Sequence, residues 1–138
     1  MTQDTKSTVL RIYSEVINGR KLDALDELTT PDVIEHEETP GLAPGREGVK
    51  QFFAMLATAF PDFRMNVEDV IVEGDKGVGR STLTGTHQGD FMGIPATNRS
   101  INLTVIDIFR VDNGRVAEHW GAMDSGAMME QLGVAPPA

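Results

Sequence analysis

Apolar residues recur at intervals of three and four near the start of the chain, which is the spacing of one face of a helix. The first set is Val9, Ile12, Tyr13, Val16 and Ile17, and Gly19 follows it. Similar sets in residues 21–28 and 48–60 predict two more helices. Prolines follow both segments and end them, because a proline disfavours the helical conformation in the residue before it. A short extended segment at 32–36 and a loop lie between the second and third helices.

After Pro61 the pattern changes to the alternation of apolar and polar residues that is typical of strands. Segments 63–73 and 78–87 predict a hairpin around a Gly74-Asp75-Lys76-Gly77 turn, and a longer hairpin occupies 99–124. Residues 125–132 predict a final helix that ends at Gly133. Helices followed by strands predict an α+β fold, a curved and mostly antiparallel sheet with the N-terminal helices on one face. At 138 residues we expect one domain, spanning 1–138.

One position in the longer hairpin breaks the alternation. Asp107 falls on the same face as Leu103, Val105 and Phe109. A carboxylate among apolar residues is costly unless it is paired or lines a polar pocket. Asp107 is therefore the first candidate for a functional residue.

The turn of this hairpin determines which residue Asp107 faces. A type I turn with a bulge at Gly114 pairs Val111 with Arg115 and places Asp107 opposite His119. A two-residue Asn113-Gly114 turn shifts the register by one and places it opposite Trp120. We prefer the bulged turn. It gives a carboxylate–imidazole pair, which can move protons near neutral pH; a purely structural ion pair is the alternative.

Composition excludes several classes of function. The chain has no cysteine, which removes disulfides, thiolate nucleophiles and zinc–thiolate sites. A net charge of −9 and a pI near 4.7 argue against nucleic acid as a partner, because phosphate binding needs a basic face. The N-terminus has no signal-peptide pattern and no apolar run has the length of a membrane span. We therefore expect a cytoplasmic protein with neither nucleic-acid nor membrane partners.

Several short blocks of sequence carry a family resemblance. In chain order they are Leu22-Asp23-Ala24-Leu25, Pro31-Asp32 leading to His36, Phe52-Phe53 through Phe60-Pro61-Asp62, Gly85-Thr86-His87-Gln88-Gly89, Phe91-Met92-Gly93-Ile94-Pro95, Ile106-Asp107-Ile108-Phe109-Arg110 and Glu118-His119-Trp120. With these blocks the chain resembles the SnoaL-like polyketide cyclases over nearly its whole length. That family belongs to the group with the cone-shaped fold of nuclear transport factor 2, ketosteroid isomerase and scytalone dehydratase.

The resemblance implies a pocket for a hydrophobic small molecule inside the cone, between the sheet and the first and third helices. It also implies a homodimer formed through the other face of the sheet. The better-known members close a ring of an aromatic polyketide ester by intramolecular aldol condensation, with acid–base residues and neither metal nor cofactor. The wider family includes isomerases and dehydratases, and a fold alone does not select among them.

The chain departs from the family at one position. Members commonly carry an aspartate directly after His-Trp and another three residues later, whereas this chain has Gly121 and then Asp124. If the missing aspartate is the cyclase base, then Asp124, Asp107 or His119 must replace it, or the chemistry differs. A non-catalytic binding or interaction module of the same fold is the alternative.

The candidate catalytic residues are Asp107, His119 and Asp124. A carboxylate in an apolar cone is a better base, and a neighbouring imidazole can donate to an enolate oxygen. Asp124 is the alternative base, although it precedes Ser125 and could instead cap the final helix.

A second group of residues is predicted to contact substrate. His36 and His87 would lie at the mouth of the cone, where each could contact substrate or instead face solvent or bond to backbone. Arg80 could reach a carboxylate or point outward to solvent. The predicted pocket walls are Trp120, Tyr13, Phe53 and Met92, and packing in the core or against the sheet is the alternative for each. We expect no metal at His36, because its neighbours Glu35 and Glu37 point to the opposite face of an extended chain.

Overall fold

The computed structural model describes residues 2–36 and 41–134. Its helices are α1 (Thr2–Arg11), α2 (Leu25–Leu28), α3 (Gly45–Ala59) and α4 (Ser125–Leu132), with a π-helical segment at Ile12–Ile17 and a 3-10 turn at Leu22–Ala24. Its strands are β1 (Thr29–Glu35), β2 (Arg64–Glu73), β3 (Lys76–Thr86), β4 (Ser100–Asp112) and β5 (Arg115–Met123). The predicted α+β class is confirmed.

The five strands form one sheet in the order β1-β5-β4-β3-β2. Three of its four pairings are antiparallel, and the edge strand β1 runs parallel to β5. Side chains alternate between a buried face, beneath the helices, and an outer face, as the pleat of a strand requires. On β4 the residues from Ile101 to Val111 at odd positions are buried.

The first helix lies unusually close to the sheet because β3 carries glycines beneath it. A Cβ atom at Gly79 would overlap the ring of Tyr13, and one at Gly77 would overlap the side chain of Val9. Two missing side chains thus make room for the helix. Tyr13 belongs to the π-helical segment, in which the N–H of Asn18 donates to the carbonyl of Tyr13 at 2.9 Å.

The register of the hairpin of β4 and β5 differs from both of the predicted registers. Asn113 and Gly114 have φ values of 50° and 78°, the left-handed conformations of a two-residue turn. A bulge between Arg110 and Val111 then moves the register by one more residue. As a result Asp107 stands opposite Gly121, and neither His119 nor Trp120 faces it directly.

The region between the first and third helices also differs from the prediction. The helix expected over 21–28 is a 3-10 turn followed by a single α-turn, and the strand begins at Thr29 rather than Asp32. Pairing with β5 extends that strand, since Thr29 is already in register with Val116. The third helix begins at Gly45, three residues earlier than expected, and β3 begins at Lys76 rather than Val78.

Other boundaries agree with the pattern. The final helix spans Ser125–Leu132, and Gly133 ends it with a φ of 74°. Part of the loop predicted after the first strand, and all of the Ala-Pro-Pro-Ala tail that we expect to fray, lie outside the described residues. In residues 2–36 and 41–134, none of the helices has both the length and the apolar character to span a lipid bilayer.

Candidate active site

Asp107 lies on the buried face of the sheet, in register with a glycine on each neighbouring strand, Gly79 and Gly121. The hydroxyl of Tyr13 donates to Asp107 Oδ2 at 2.7 Å. His119 Nε2 lies 2.9 Å from Asp107 Oδ1. Two donors from different elements therefore hold the two oxygens of this carboxylate.

The Asp107–His119 contact is diagonal across the strand pair. His119 is in register with Phe109, two residues along β4 from Asp107 and on the same face. Diagonal neighbours are within reach of long or aromatic side chains. The predicted carboxylate–imidazole pair therefore forms, although the register that predicted it is wrong.

A second carboxylate contacts the other nitrogen of His119. Its Nδ1 lies 2.8 and 2.7 Å from the two oxygens of Glu35, which comes from β1. Burial lowers the pKa of His119, but the hydrogen bonds to Asp107 and Glu35 and their charges outweigh burial and raise the pKa to about 9. At neutral pH the ring is therefore an imidazolium between two carboxylates.

Tyr13 supports this arrangement from the helix side. Burial, the charge of Asp107 and the hydrogen bond to that carboxylate all raise the pKa of its hydroxyl. The hydroxyl therefore remains protonated and continues to donate. Its ring also packs edge-on against Phe109, with 5.9 Å between the ring centroids.

Exposure to solvent increases along the row of hydrogen-bonded side chains from Tyr13 to Glu35. Tyr13 is buried, and the side chains of Asp107, His119 and Glu35 are 10%, 18% and 33% exposed. A molecule arriving from solvent thus meets Glu35 and His119 before it meets Asp107. The residues could deliver a proton from the surface to a buried carboxylate.

Two surface cavities lie elsewhere on the described chain. One of about 480 Å³ lies at the Thr86 end of β3, where Asp62, Asn102 and Gln131 are among its lining residues. The other, of about 300 Å³, runs along α1. Neither is lined by Asp107 or His119, in contrast to the interior pocket that the resemblance implied.

Three of the predicted substrate contacts lie on the outer face of the sheet. His36 stacks on Trp120 with 4.7 Å between ring centroids, and its Nε2 lies 2.6 Å from Glu118. Arg80 donates to Asp69 at 3.0 Å. Because neighbouring residues on a strand face opposite ways, His36 and Trp120 point away from Asp107 while Glu35 and His119 point toward it.

His87, at the end of β3, is fully buried. It stacks on Phe60 at 5.2 Å, and its Nδ1 lies 3.0 Å from Thr97 Oγ1. It therefore packs within the core and does not line an open mouth of the cone.

The remaining predicted pocket walls do not contact the Asp107–His119 pair through any described interaction. Phe53 is partly buried and packs edge-on against Phe52. Met92 is 58% exposed at the tip of a tight turn between Phe91 and Ile94. Tyr13, in contrast, reaches the site through its hydroxyl.

Asp124 caps the final helix. Its Oδ1 accepts a hydrogen bond from the N–H of Ala127 at 2.9 Å. This is the capping role that the sequence left open beside the catalytic one. The contact does not bring Asp124 to Asp107 or His119.

Glu35 is the site residue that the sequence argument missed. From the sequence, Glu35 is expected only to point to the face of the chain opposite His36. A signal did exist, because the chain contains two Glu-His dipeptides, at 35–36 and 118–119. The structure places them side by side on β1 and β5, with Glu35 in register with His119.

The site offers no converging set of metal ligands. Asp107 and Glu35 bind opposite nitrogens of His119, so the three side chains cannot meet at one ion. Within the described ranges no other group of three or more histidine, aspartate or glutamate side chains is arranged to hold a metal.

Comparison with known proteins identifies the family. The model of the family of SnoaL-like polyketide cyclases matches residues 7–132. TsrD from Streptomyces laurentii is 32% identical, with a TM-score of 0.81 over 96% of this chain and 95% of that one. A protein from Jannaschia sp. CCS1, provisionally named a SnoaL-like polyketide cyclase, is 31% identical, with a TM-score of 0.86 over 99% and 95%.

A third structure is IdmH from Streptomyces antibioticus, provisionally named a polyketide cyclase. It is 34% identical, with a TM-score of 0.80 over 94% of this chain and 99% of that one. No curated protein sequence matches the chain. The family model and these neighbours support a cyclase-type role. The chain belongs to the family of SnoaL-like polyketide cyclases.

Proposed function

We propose that this protein is a cofactor-free acid–base enzyme that closes a ring in a hydrophobic, polyketide-like carbonyl compound by intramolecular aldol addition. The observation that carries the proposal is the Asp107–His119 pair, a carboxylate and an imidazolium 2.9 Å apart on the covered face of the sheet. An aldol closure needs a base next to a donor that can stabilise an enolate.

In the first step Asp107 removes a proton from the carbon next to the substrate carbonyl. The carboxylate becomes neutral, and its ion pair with the imidazolium is lost. His119 Nε2–H is then free to turn from Asp107 Oδ1 to the enolate oxygen, where the negative charge has moved. The imidazolium of His119 thus stabilises the carboxylate of Asp107 before proton transfer and the enolate oxygen after it.

In the second step the enolate carbon attacks the second carbonyl carbon of the same molecule, and a carbon–carbon bond forms. The resulting alkoxide takes a proton from Asp107, which becomes a carboxylate again. All atoms of the substrate remain in the product, so the reaction needs no oxidant, reductant or added group. Tyr13 holds Asp107 Oδ2 throughout.

The departure at position 121 supports Asp107 as the base. In the family an aspartate commonly follows His-Trp, and in this chain that position is Gly121. Gly121 is the direct cross-strand partner of Asp107. Directly paired residues face the same side at about 5 Å, so Asp107 presents a carboxylate one strand away from the missing one.

The proposal is tested with a panel of uncyclised aromatic polyketide esters, followed by chromatography and visible absorbance because mass does not change. We expect Asp107→Asn and His119→Ala each to lower kcat by about 100-fold or more, with far-UV circular dichroism unchanged. Asp69→Asn, which removes an outer-face carboxylate, is the control and should retain wild-type turnover. Wild-type rates in both site variants would exclude this pair.

A binding module is the second candidate, and the limited exposure of Asp107 and His119 favours it. For this function no panel compound is converted, while the melting temperature rises with ligand concentration. A pH profile separates the two, since catalysis through coupled groups gives a bell-shaped rate and simple affinity need not.

A further inference from the structure

Glu35 occupies the side of His119 that the proposed reaction leaves untouched. Both of its oxygens lie within 2.8 Å of Nδ1, and it comes from the edge strand β1. We propose that Glu35 is a positioning residue that anchors His119 through Nδ1 while Nε2–H moves from Asp107 to the substrate oxygen. This inference rests on the proposed function and assigns a role to a third residue of the same site.

The need for such an anchor follows from the first step of the reaction. When Asp107 becomes protonated, His119 loses the carboxylate on Nε2 at the moment when its charge is required by the enolate. A ring held only by Asp107 could rotate or release its proton. The carboxylate of Glu35 keeps a negative charge beside the opposite nitrogen, Nδ1. The ring of Phe109, 4.9 Å away between centroids, packs against the imidazole.

The backbone fixes Glu35 in this place. The N–H of His36 donates to the carbonyl of His119 at 3.0 Å, and Glu35 is in register with His119 on the parallel strand. Among residues 2–36 and 41–134, the charged or titratable groups that contact His119 are Asp107 from β4 and Glu35 from β1, with Tyr13 from the π-helical segment acting through Asp107. The two carboxylates approach from opposite edges of the ring.

A second Glu–His pair provides an internal control. On the outer face, His36, which directly follows β1, lies 2.6 Å from Glu118 of β5. This pair also joins a carboxylate to an imidazole but faces away from Asp107, and Glu118 accepts a further hydrogen bond from Arg110 Nε at 2.8 Å. Changing Glu118 therefore shows what the loss of a nearby outer-face carboxylate, with its contacts to His36 and Arg110, does by itself, and it leaves the Nδ1 side of His119 intact.

Glu35 could position the charged ring of His119 or only stabilise the edge of the sheet, and the two roles predict different results for Glu35→Gln. Glutamine has nearly the same shape, and its oxygen can still accept from Nδ1–H, but it carries no charge. If Glu35 positions a charged ring, the pKa of His119 should fall by about one unit or more from its wild-type value of about 9. If Glu35 only stabilises the edge of the sheet, the melting temperature changes and the pKa of His119 does not.

The test is a pH titration of the imidazole resonances by NMR in wild type, Glu35→Gln, Glu35→Asp and Glu118→Gln. The chain has three histidines, and His119→Ala assigns the resonance. We expect the pKa of His119 to fall in Glu35→Gln, to remain near the wild-type value in Glu35→Asp and to be unchanged in Glu118→Gln. An unchanged titration in Glu35→Gln overturns the inference.

Turnover separates this inference from the proposed function. Where the panel contains a substrate, Glu35→Gln should lower kcat about 10-fold and move the basic limb of its pH profile to lower pH, because the imidazolium is lost earlier as pH rises. An unchanged profile overturns the positioning role. If wild type converts no compound, the proposed function fails, and the NMR titration still decides whether Glu35 holds the charge of His119.

Discussion

Ser81, on β3, is a buried hydroxyl in the apolar interior. Its Oγ has no hydrogen-bond partner in the described part of the chain, and the same is true of Nε2 of the buried His87. Most buried polar atoms in folded proteins are paired, because an unpaired one loses its bonds to water. Each of these two unpaired atoms therefore lowers the stability of the folded protein.

We expect Ser81→Ala to raise the free energy of unfolding by up to about 1 kcal/mol, since it removes an unpaired hydroxyl and leaves a void of only one atom. Urea unfolding measures the change. The control is Thr29→Val, which removes a buried hydroxyl that does have partners, donating to Leu25 and accepting from Arg46. That variant should lose about 1 kcal/mol or more. A clear loss of stability in Ser81→Ala would contradict the prediction.

At the scale of elements, α4 is determined by its two ends. Asp124 precedes the helix with extended dihedral angles and caps it, and Gly133 ends it in the left-handed conformation. Both residues act on backbone groups within one turn of themselves. The position of this helix could therefore be predicted from sequence. The start of β1 at Thr29 could not, because it depends on a partner strand more than 80 residues away.

The capping role of Asp124 makes a prediction that separates it from the alternative catalytic role. Asp124→Ala should lower the free energy of unfolding by about 1 kcal/mol through loss of the cap, and kcat should change by less than a factor of about three. Asp124→Asn should restore stability, since asparagine also caps helices. Loss of turnover in Asp124→Asn with an unchanged melting temperature would instead assign the base to Asp124.

At the scale of the whole molecule, the outer face of the sheet carries a row of apolar side chains across four strands. Ile71, Val78, Ile108 and Trp120 are successive cross-strand neighbours from β2 to β5. Ile71 is 66% exposed, and Ile34, on β1, is 50% exposed. Val78, Ile108 and Trp120 are partly exposed. Exposed apolar side chains grouped on one face are typical of a protein interface.

We therefore expect a homodimer formed through this outer face. Ile71→Glu should weaken dimerisation at least about 10-fold, because it places a charge in an apolar contact, and sedimentation velocity measures the change. Leu10→Glu, at an exposed apolar position of α1, is the matched control and should leave the dimer intact. A monomeric wild type at about 0.1 mM would exclude a stable interface there.

The sequence by itself determined the features that depend on nearby residues. The apolar face of the first helix, the alternation of β4 and both ends of α4 follow from spacing and capping within a few positions, and they were predicted correctly. Asp107 also stood out, because a carboxylate among alternating apolar residues needs no structure to be recognised. The α+β class and the family followed from the order of these elements and the motifs between them.

Only the tertiary structure decided which side chains meet. One bulged residue moved Asp107 opposite Gly121, so that His119 reaches it diagonally. The parallel pairing of β1 with β5 brought Glu35 to His119 and sent His36 and Trp120 to the outer face. Alternation specifies which residues of a strand share a face, but the neighbouring strand and its register depend on contacts between distant parts of the chain. The candidate site is made of such contacts, which is why local pattern revealed one of its carboxylates and not the other.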